Sequence, residues 1–314
     1  MTKNILETMI FCELWENFSK YKELKLKKES YRKIANNFKN HILPYFKDMK
    51  VIDITADDVV DWMTSIEKKG YKNSYNASLY ECLVLILNYA MDFYDLEKNV
   101  ASKVGGFNKA KKNETKNVDF WTLEEFNKFI EVVDSPIYKL LYETLFYTGL
   151  RLGECLALNW NDYKNGYFYI NKTLLKEKFS EDSYTFNSPK TPQSIRTVLL
   201  DDDLVKKLND LKAKQQKEKD FSENWFIFGG RKPLSQTTVS RRKDGYCDIS
   251  GVKKIRMHDF RHSHATLMLS SGVPVTCISK RLGHKDIAMT LNTYSHYIPQ
   301  DEKILIEKIN NMKV

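Results

Sequence analysis

No stretch of this 314-residue chain approaches the ~18 uncharged apolar residues that a membrane-spanning helix needs, and its one apolar run near the N-terminus has acids inside it. Cysteine is sparse and spaced for neither cross-linking nor zinc. Cys12, Cys82, Cys155, Cys247 and Cys277 are odd in number and form no CxxC pair. That excludes a disulfide scaffold and a zinc ribbon, and reads as reduced thiols in a cytoplasmic protein. No internal repeat or low-complexity tract interrupts the chain. What it does have is enough apolar content, 42%, for a sizeable core, and a length that as a prior makes two domains.

The net charge is +9, and its distribution matters more than its size. Residues 1–100 balance fifteen bases against fifteen acids, yet residues 20–50 alone carry ten against three. Residues 101–118 add five bases against one acid. A basic stripe within a balanced domain is the footprint of a polyanion partner, although a solvated lysine face has the same composition.

Periodicity over residues 8–100 is helical throughout. Leu14, Phe18 and Tyr21 recur at helical spacing, as do Tyr31, Ile34, Phe38 and Ile42, after which Pro44 is expected to stop the helix. Thr55 to Asp58 offers a capping start for a helix carrying Val59, Met63 and Ile66, which Gly70 ends. A fourth helix is expected from about Ser74 to Tyr94. Residues 101–118, with a Gly pair and five lysines, break every periodicity and read as a basic linker. The second domain, 119–314, opens on a capping box at Thr122 and Glu125, with helices to about Leu158. Short β-type runs follow at Tyr167–Leu174, Ser183–Asn187 and Ile195–Leu200, before the chain returns to helix. The fold class is therefore mainly α with a small antiparallel β-sheet.

Three segments concentrate chemistry. In the first, YTGLRLGE (147–154), Arg151 comes two residues after a Gly and stands at a helix start, where its guanidinium can share an anion with the N-terminal amides. Taken alone, such an Arg is more often a surface ion pair, here with Glu154. In the second, HDFRHSH (258–264), His258 and Arg261 are spaced to project together, and an imidazole beside a permanent cation suits a phosphoryl group. The same segment echoes a zinc pattern through His258 and His262, with His264 or His284 as further ligands. Against zinc stand the Asp where that pattern has Glu and Arg261 beside the would-be cation. In the third segment, 282–296, Gly283 fits a helix end and Asp286 a cap, and Tyr294 falls on the last helix. Nothing in periodicity singles out that tyrosine among eighteen.

Together, and in this order, the segments resemble the tyrosine recombinase (phage integrase) family. That family's signature is Arg, Lys, His-x-x-Arg, His or Trp, and Tyr. TGLR (148–151) is similar to its first Arg box, His258-x-x-Arg261 to the second, LGH (282–284) to the third and Tyr294-Ser-His to the nucleophile box. Ser188-Pro-Lys190-Thr191 resembles the segment holding the family's hairpin lysine. The likeness implies a two-domain clamp: residues 8–100 as a helical core-binding domain on DNA, 101–118 as the linker, and 119–314 as the catalytic domain with a C-terminal tail helix. It also implies chemistry without metal or other cofactor. Tyr294 attacks a DNA phosphodiester to give a 3′-phosphotyrosyl link, which a 5′-hydroxyl later reverses. Arg151 and Arg261 bind the non-bridging oxygens, Lys190 protonates the leaving oxygen, His258 takes the phenolic proton, and His284 hydrogen-bonds the phosphate. Glu154 orients these groups.

The implied partners are double-stranded DNA at specific sites, a tetramer of the chain on paired sites, and a directionality factor or DNA-bending host protein, in a nucleoid-associated setting. Expected phosphate contacts are Lys25, Lys27, Lys28, Arg32 and Lys33 in the first domain, Lys109, Lys111 and Lys112 in the linker, and Arg241, Arg242 and Lys243 in a helix beginning near Ser235. Ile304, Leu305, Ile309 and Met312 give the tail an apolar side that is expected to dock on a neighbouring copy or on its own domain. The chain starts almost at the first core-binding helix, so an arm-binding module is either not part of the protein or has been removed. The spelling TLNTY (290–294) and the ten-residue gap from His284 resemble integrases of mobile elements more than Xer-like resolvases or invertases, which remain the alternative.

Overall fold

The computed structural model describes residues 5–107, 119–180, 183–187, 195–284, 286–294 and 310. The chain forms two compact units, Met1–Thr115 and Lys116–Val314. In the first, α1 (Phe11–Lys25), α2 (Lys28–Asn37), α3 (Ala56–Glu67), α4 (Asn73–Tyr94) and α5 (Val100–Val104) enclose an aromatic-rich core. Phe11, Leu14, Phe18, Phe38, Phe46, Val59, Trp62, Leu83 and Leu87 are all without solvent exposure. The Thr55 cap is present: its hydroxyl accepts from the Asp58 N–H at 3.2 Å. Trp62, rather than Met63, fills the inner side of α3, and its indole N–H donates to the His41 carbonyl at 2.8 Å.

Two expectations for this unit are corrected. Pro44 does not stop the helix. A π turn over Phe38–Ile42 follows α2, and the Leu43 N–H bonds to the Phe38 carbonyl five residues back, leading into a helical turn at Leu43–Phe46. The wider turn carries the hydrogen-bond ladder past the position where proline has no N–H to give. Nor does regular structure end at residue 100. Asn99 caps α5 by accepting from the Ser102 N–H, and Ala101 and Phe107 are buried in the core. Residues 108–118, with Lys109, Lys111 and Lys112, lie outside the described residues.

The second unit begins with the Thr122/Glu125 capping box at the head of α6 (Leu123–Glu131). Next come α7 (Pro136–Thr148) and α8 (Leu152–Ala157). Phe126 and Phe146 stack at 3.8 Å in the core, with Trp121, Phe129, Tyr142 and Phe260 around them. The expected run Tyr167–Leu174 is two strands that belong to different sheets. A three-stranded antiparallel sheet has the order β1 (Tyr163–Lys164), β2 (Tyr167–Ile170), β5 (Arg196–Leu199), while β3 (Thr173–Ser180) and β4 (Ser183–Asn187) form a separate hairpin. The register pairs Phe168 with Val198 and Ile170 with Arg196, so these four side chains share the buried face. After β5 run α9 (Asp202–Gln215), α10 (Gln236–Ser250), α11 (Asp259–Ser270), α12 (Val275–Leu282) and α13 (Ile287–Tyr294). The tail expected over 301–314, apart from Asn310, lies outside the described residues. Among the described residues no helix is long and apolar enough to cross a membrane.

The fully buried, hydrogen-bonded Trp62 makes the first unit's stability testable. Trp62→Ala removes a large packed side chain and leaves a cavity, an expected loss of about 3–5 kcal/mol in denaturant unfolding of that unit. A loss below about 1 kcal/mol would contradict the packing described.

Candidate active site

Helix α7 ends at Thr148, and Gly149 turns the chain with φ +68°. A Cβ there would be strained by the backbone and would stand 2.7 Å from both His264 Cδ2 and Leu282 Cδ2, so glycine is required. The turn delivers Arg151 to the N-cap of α8. Its backbone N–H donates to Glu154 Oε2 at 3.0 Å, and Nη1 donates to Oε1 at 2.7 Å. The local ion pair foreseen from spacing therefore exists, but it is half of a larger arrangement. Glu154 is 4% exposed and also receives Arg196 Nη2 at 2.9 Å. Burial works against its charge, yet the Arg196 hydrogen bonds and charge, with Arg151 behind them, outweigh burial and hold its carboxyl at about 2.

Arg261 lies on α11 and is only 2% exposed. Its Nη1 donates to the Gly149 carbonyl at 3.0 Å, and its Nη2 to the Leu282 carbonyl at 2.6 Å. Those carbonyls stand at the C-terminal ends of α7 and α12, where backbone dipoles favour a cation. Burial, then the neighbouring Arg151 charge, lowers the Arg261 pKa from its ordinary value. His258 stands just before α11, exposed, with Asp259 behind it. The fully buried Asp259 carboxylate is gripped by the Arg256 guanidinium, with one bond of 2.7 Å. His264 Nδ1 donates to the Phe146 carbonyl at 3.0 Å, since a carbonyl only accepts.

Tyr294 closes α13 and is 2% exposed, packed among Ala265, Leu269, Ile278 and Leu282. Its hydroxyl is hydrogen-bonded to His262 Nδ1. The His262 ring also makes an edge contact with His258, the ring centroids lying 5.1 Å apart. His284 follows the Gly283 turn, its Nδ1 at 2.7 Å from the Thr290 hydroxyl. Every one of these imidazoles is pushed toward neutrality. His284 is held at about 4 by burial first, then by the charges of Arg261, Arg151 and Arg196. His262 is held at about 4 by burial and by His258, and His264 at about 3 chiefly by burial. His258 is lowered by loss of water on its inner side, then by Arg261 and Arg151. Arg151, Arg196 and Arg261 thus lie close enough to Glu154 and to the histidines for their charges to be felt, a positive surplus suited to an anion.

Arg151, Glu154, His258, Arg261, His284 and Tyr294 are brought together here, and Lys190 lies outside the described residues. Two participants were not foreseen. Arg196 carried a signal: it is in phase with Val198 and Leu200 on a β-run, so a cation pointed at the core. His262 carried none beyond its place in the His cluster. The Tyr294 hydroxyl contacts the His262 ring, which in turn meets the ring of His258, the residue expected to take the phenolic proton. The zinc pattern is not assembled: His262 is turned to Tyr294 and His264 to Phe146. Among the described residues no group of three or more His, Cys, Asp or Glu is placed to hold a metal ion.

Of the expected phosphate contacts, Lys25, Lys27, Lys28, Arg32, Lys33, Arg241 and Arg242 are exposed. Lys25 reaches the Tyr21 hydroxyl at 2.8 Å, and Arg242 lies over the Tyr138 ring at 4.6 Å. Lys243 is a correction. It is 2% exposed, with its ammonium on the Ile255 carbonyl and on Asp244, so helix α10 turns it inward and away from any phosphate.

Residues 117–300 match the phage integrase family, and residues 10–66 match its N-terminal SAM-like domain. The ICEBs1 integrase of Bacillus subtilis (strain 168) is 30% identical over 306 residues, covering 92% of this chain and 80% of that protein. A XerC-like tyrosine recombinase of Caldanaerobacter subterraneus subsp. tengcongensis is 27% identical over 300 residues, 88% of this chain and 77% of that protein. The solved structure of the Tn1549 transposon integrase, in complex with transposon right end DNA, superposes with a TM-score of 0.75 over 98% of this chain and 100% of that one. At 16% identity that likeness shows the fold alone.

The lowered histidines make the second unit sensitive to mild acid. In the unfolded chain they take up protons near the ordinary 6.5, whereas the folded unit refuses them to about 4 or below. Stability is therefore complete above pH 6.5 and falls as pH drops toward 4. His264 alone should make the unit about 2 kcal/mol less stable at pH 5 than at pH 7 in denaturant unfolding. A flat profile across that interval would contradict the burial described.

Proposed function

The chain belongs to the phage integrase family and is a tyrosine site-specific recombinase; on that premise we propose that Tyr294 is the nucleophile with which it cuts and rejoins DNA. What carries the reading is the phenol's position. The Tyr294 hydroxyl is hydrogen-bonded to His262, the residue next to Arg261 on α11, which we read as one reaction volume shared by phenol and guanidinium groups. In that volume Arg261, already oriented by two carbonyls, and Arg151, oriented by Glu154, hold the non-bridging oxygens of a DNA phosphodiester. A preorganised cation spends nothing on reorientation as charge builds on the pentacoordinate phosphorus. His284 hydrogen-bonds the same phosphate. Lys190 protonates the leaving 5′-oxygen, a role assigned from the family resemblance.

The step conserves bond type. The Tyr294 oxygen forms a bond to phosphorus as the bond to the 5′-oxygen breaks, and a 5′-hydroxyl from another strand reverses it. No external energy is needed for rejoining. Two duplexes with two strands each require four such tyrosines, which is the reason to propose a tetramer on paired sites. Lys25, Lys27, Lys28, Arg32 and Lys33, with Arg241 and Arg242, are proposed to neutralise backbone phosphates flanking the cleavage point. A mobile-element integrase is the favoured subtype, supported by the 30% identity to the ICEBs1 integrase. A Xer-like resolvase is the second reading, supported by the XerC-like relative.

A DNA substrate nicked beside the cleavage position traps the covalent complex. Wild type is expected to accumulate it, Tyr294→Phe to form none, and Arg261→Lys to form it about 10²–10³ times more slowly while still binding DNA. An adduct that survives Tyr294→Phe would overturn the assignment. Binding should weaken steeply between low and moderate salt, and less steeply once Lys25, Lys27 and Lys28 are all changed to Gln.

A further inference from the structure

A neutral imidazole can donate to a phosphate from only one of its nitrogens, and the surroundings of His284 select which. Burial and the charges of Arg261, Arg151 and Arg196 keep that ring neutral at neutral pH, so it carries a single hydrogen. With the hydrogen on Nε2, the ring donates there and accepts at Nδ1. With the hydrogen on Nδ1, it turns a lone pair outward at Nε2, which repels a phosphate oxygen.

The ring is fixed by its own turn and by the next helix. Gly283 turns the backbone at φ +69° after α12, and the His284 N–H donates to the Ser279 carbonyl at 3.1 Å. Asp286 opens α13 by accepting from the Ala288 N–H at 2.9 Å. Further along that helix, Thr290 sets its hydroxyl 2.7 Å from His284 Nδ1. Thr290 is 1% exposed and lies one turn before Tyr294, which is buried as well. Among the described residues its hydroxyl has no other hydrogen-bond partner. A buried hydroxyl hydrogen needs an acceptor, and the one at bonding distance is the Nδ1 lone pair. Were Nδ1 to carry the ring hydrogen, the hydroxyl hydrogen would be buried with nothing to accept it.

We infer that Thr290 is the positioning residue of His284: its hydroxyl donates to Nδ1 and keeps the ring hydrogen on Nε2, the nitrogen left to donate to the scissile phosphate. This rests on the reading of His284 as a phosphate ligand. The same bond ties the end of α12 to the helix that carries Tyr294, so the phosphate's donor and its attacker share one framework.

Nitrogen-15 NMR of the full chain reads the tautomer. Hydrogen on Nε2 of His284 is expected, and hydrogen on Nδ1 would overturn the inference. Thr290→Val keeps the shape of the side chain and removes the hydroxyl. It should slow covalent adduct formation on the nicked DNA substrate by about tenfold, with DNA binding little changed. Thr290→Ser, which keeps the hydroxyl, should run close to wild type. The loss acts through the imidazole, so in a His284→Ala background Thr290→Val should cost less than about twofold more. The full loss persisting in that background, no loss in the wild-type background, or a Thr290→Ser variant as slow as Thr290→Val would each overturn the inference. Should Thr290→Val not fold, the wild-type tautomer decides. If His284→Ala cleaves at the wild-type rate, the phosphate role of His284 falls and the inference with it. Slow cleavage by His284→Ala beside fast cleavage by Thr290→Val removes the inference alone.

Discussion

One guanidinium organises the second unit. Arg261 reaches the last carbonyls of two helices, at Gly149 and Leu282, and by satisfying both it fixes where α7 and α12 end relative to α11. The residues that follow those ends, Arg151 after Gly149 and His284 after Leu282, are delivered to the same side. A buried cation is tolerated there because oriented carbonyl dipoles replace part of its lost hydration. Without that clamp the Gly149 and Leu282 carbonyls lose their shared donor, and Arg261 loses its orientation.

Around this clamp the charges are unbalanced by design of the fold. Arg151 and Arg196 share the one carboxylate of Glu154, and Arg261 has only carbonyls. The surplus is positive and directed at a shared volume, while the imidazoles nearby are kept neutral so that they add no further repulsion. On the proposed reading, a phosphodiester brings the missing negative charge. Binding and catalysis then draw on the same electrostatic term, which grows as the phosphorus gains its fifth oxygen. Glu154 holds those two guanidinium groups at a fixed separation.

Much of this was legible in the sequence, for reasons that can be named. The helices of the first unit announce themselves through Leu14, Phe18 and Val59, because a helix that buries one stripe must repeat its apolar residues at that period. The boxes around Arg151, Arg261 and Tyr294 are short and local, so their spelling survives linear reading. Contacts made across distant segments do not. Arg196 is set on Glu154 by the register of β5 against β2, which no single strand reveals. His262 meets Tyr294 only because α13 packs back on α11. Lys243 looked like its neighbours Arg241 and Arg242, and only the phase of α10 against the core turns it inward. Pro44 misled because a π turn absorbs a break that an ordinary helix cannot.

The central claim is that one phenolic oxygen, at position 294, becomes an ester of DNA in this pocket. Peptide mapping by mass spectrometry of the trapped protein–DNA complex tests it most directly. The account predicts a single proteolytic fragment carrying a 3′-phosphonucleotide, with the linkage on Tyr294. A nucleotide carried by any other residue would contradict it.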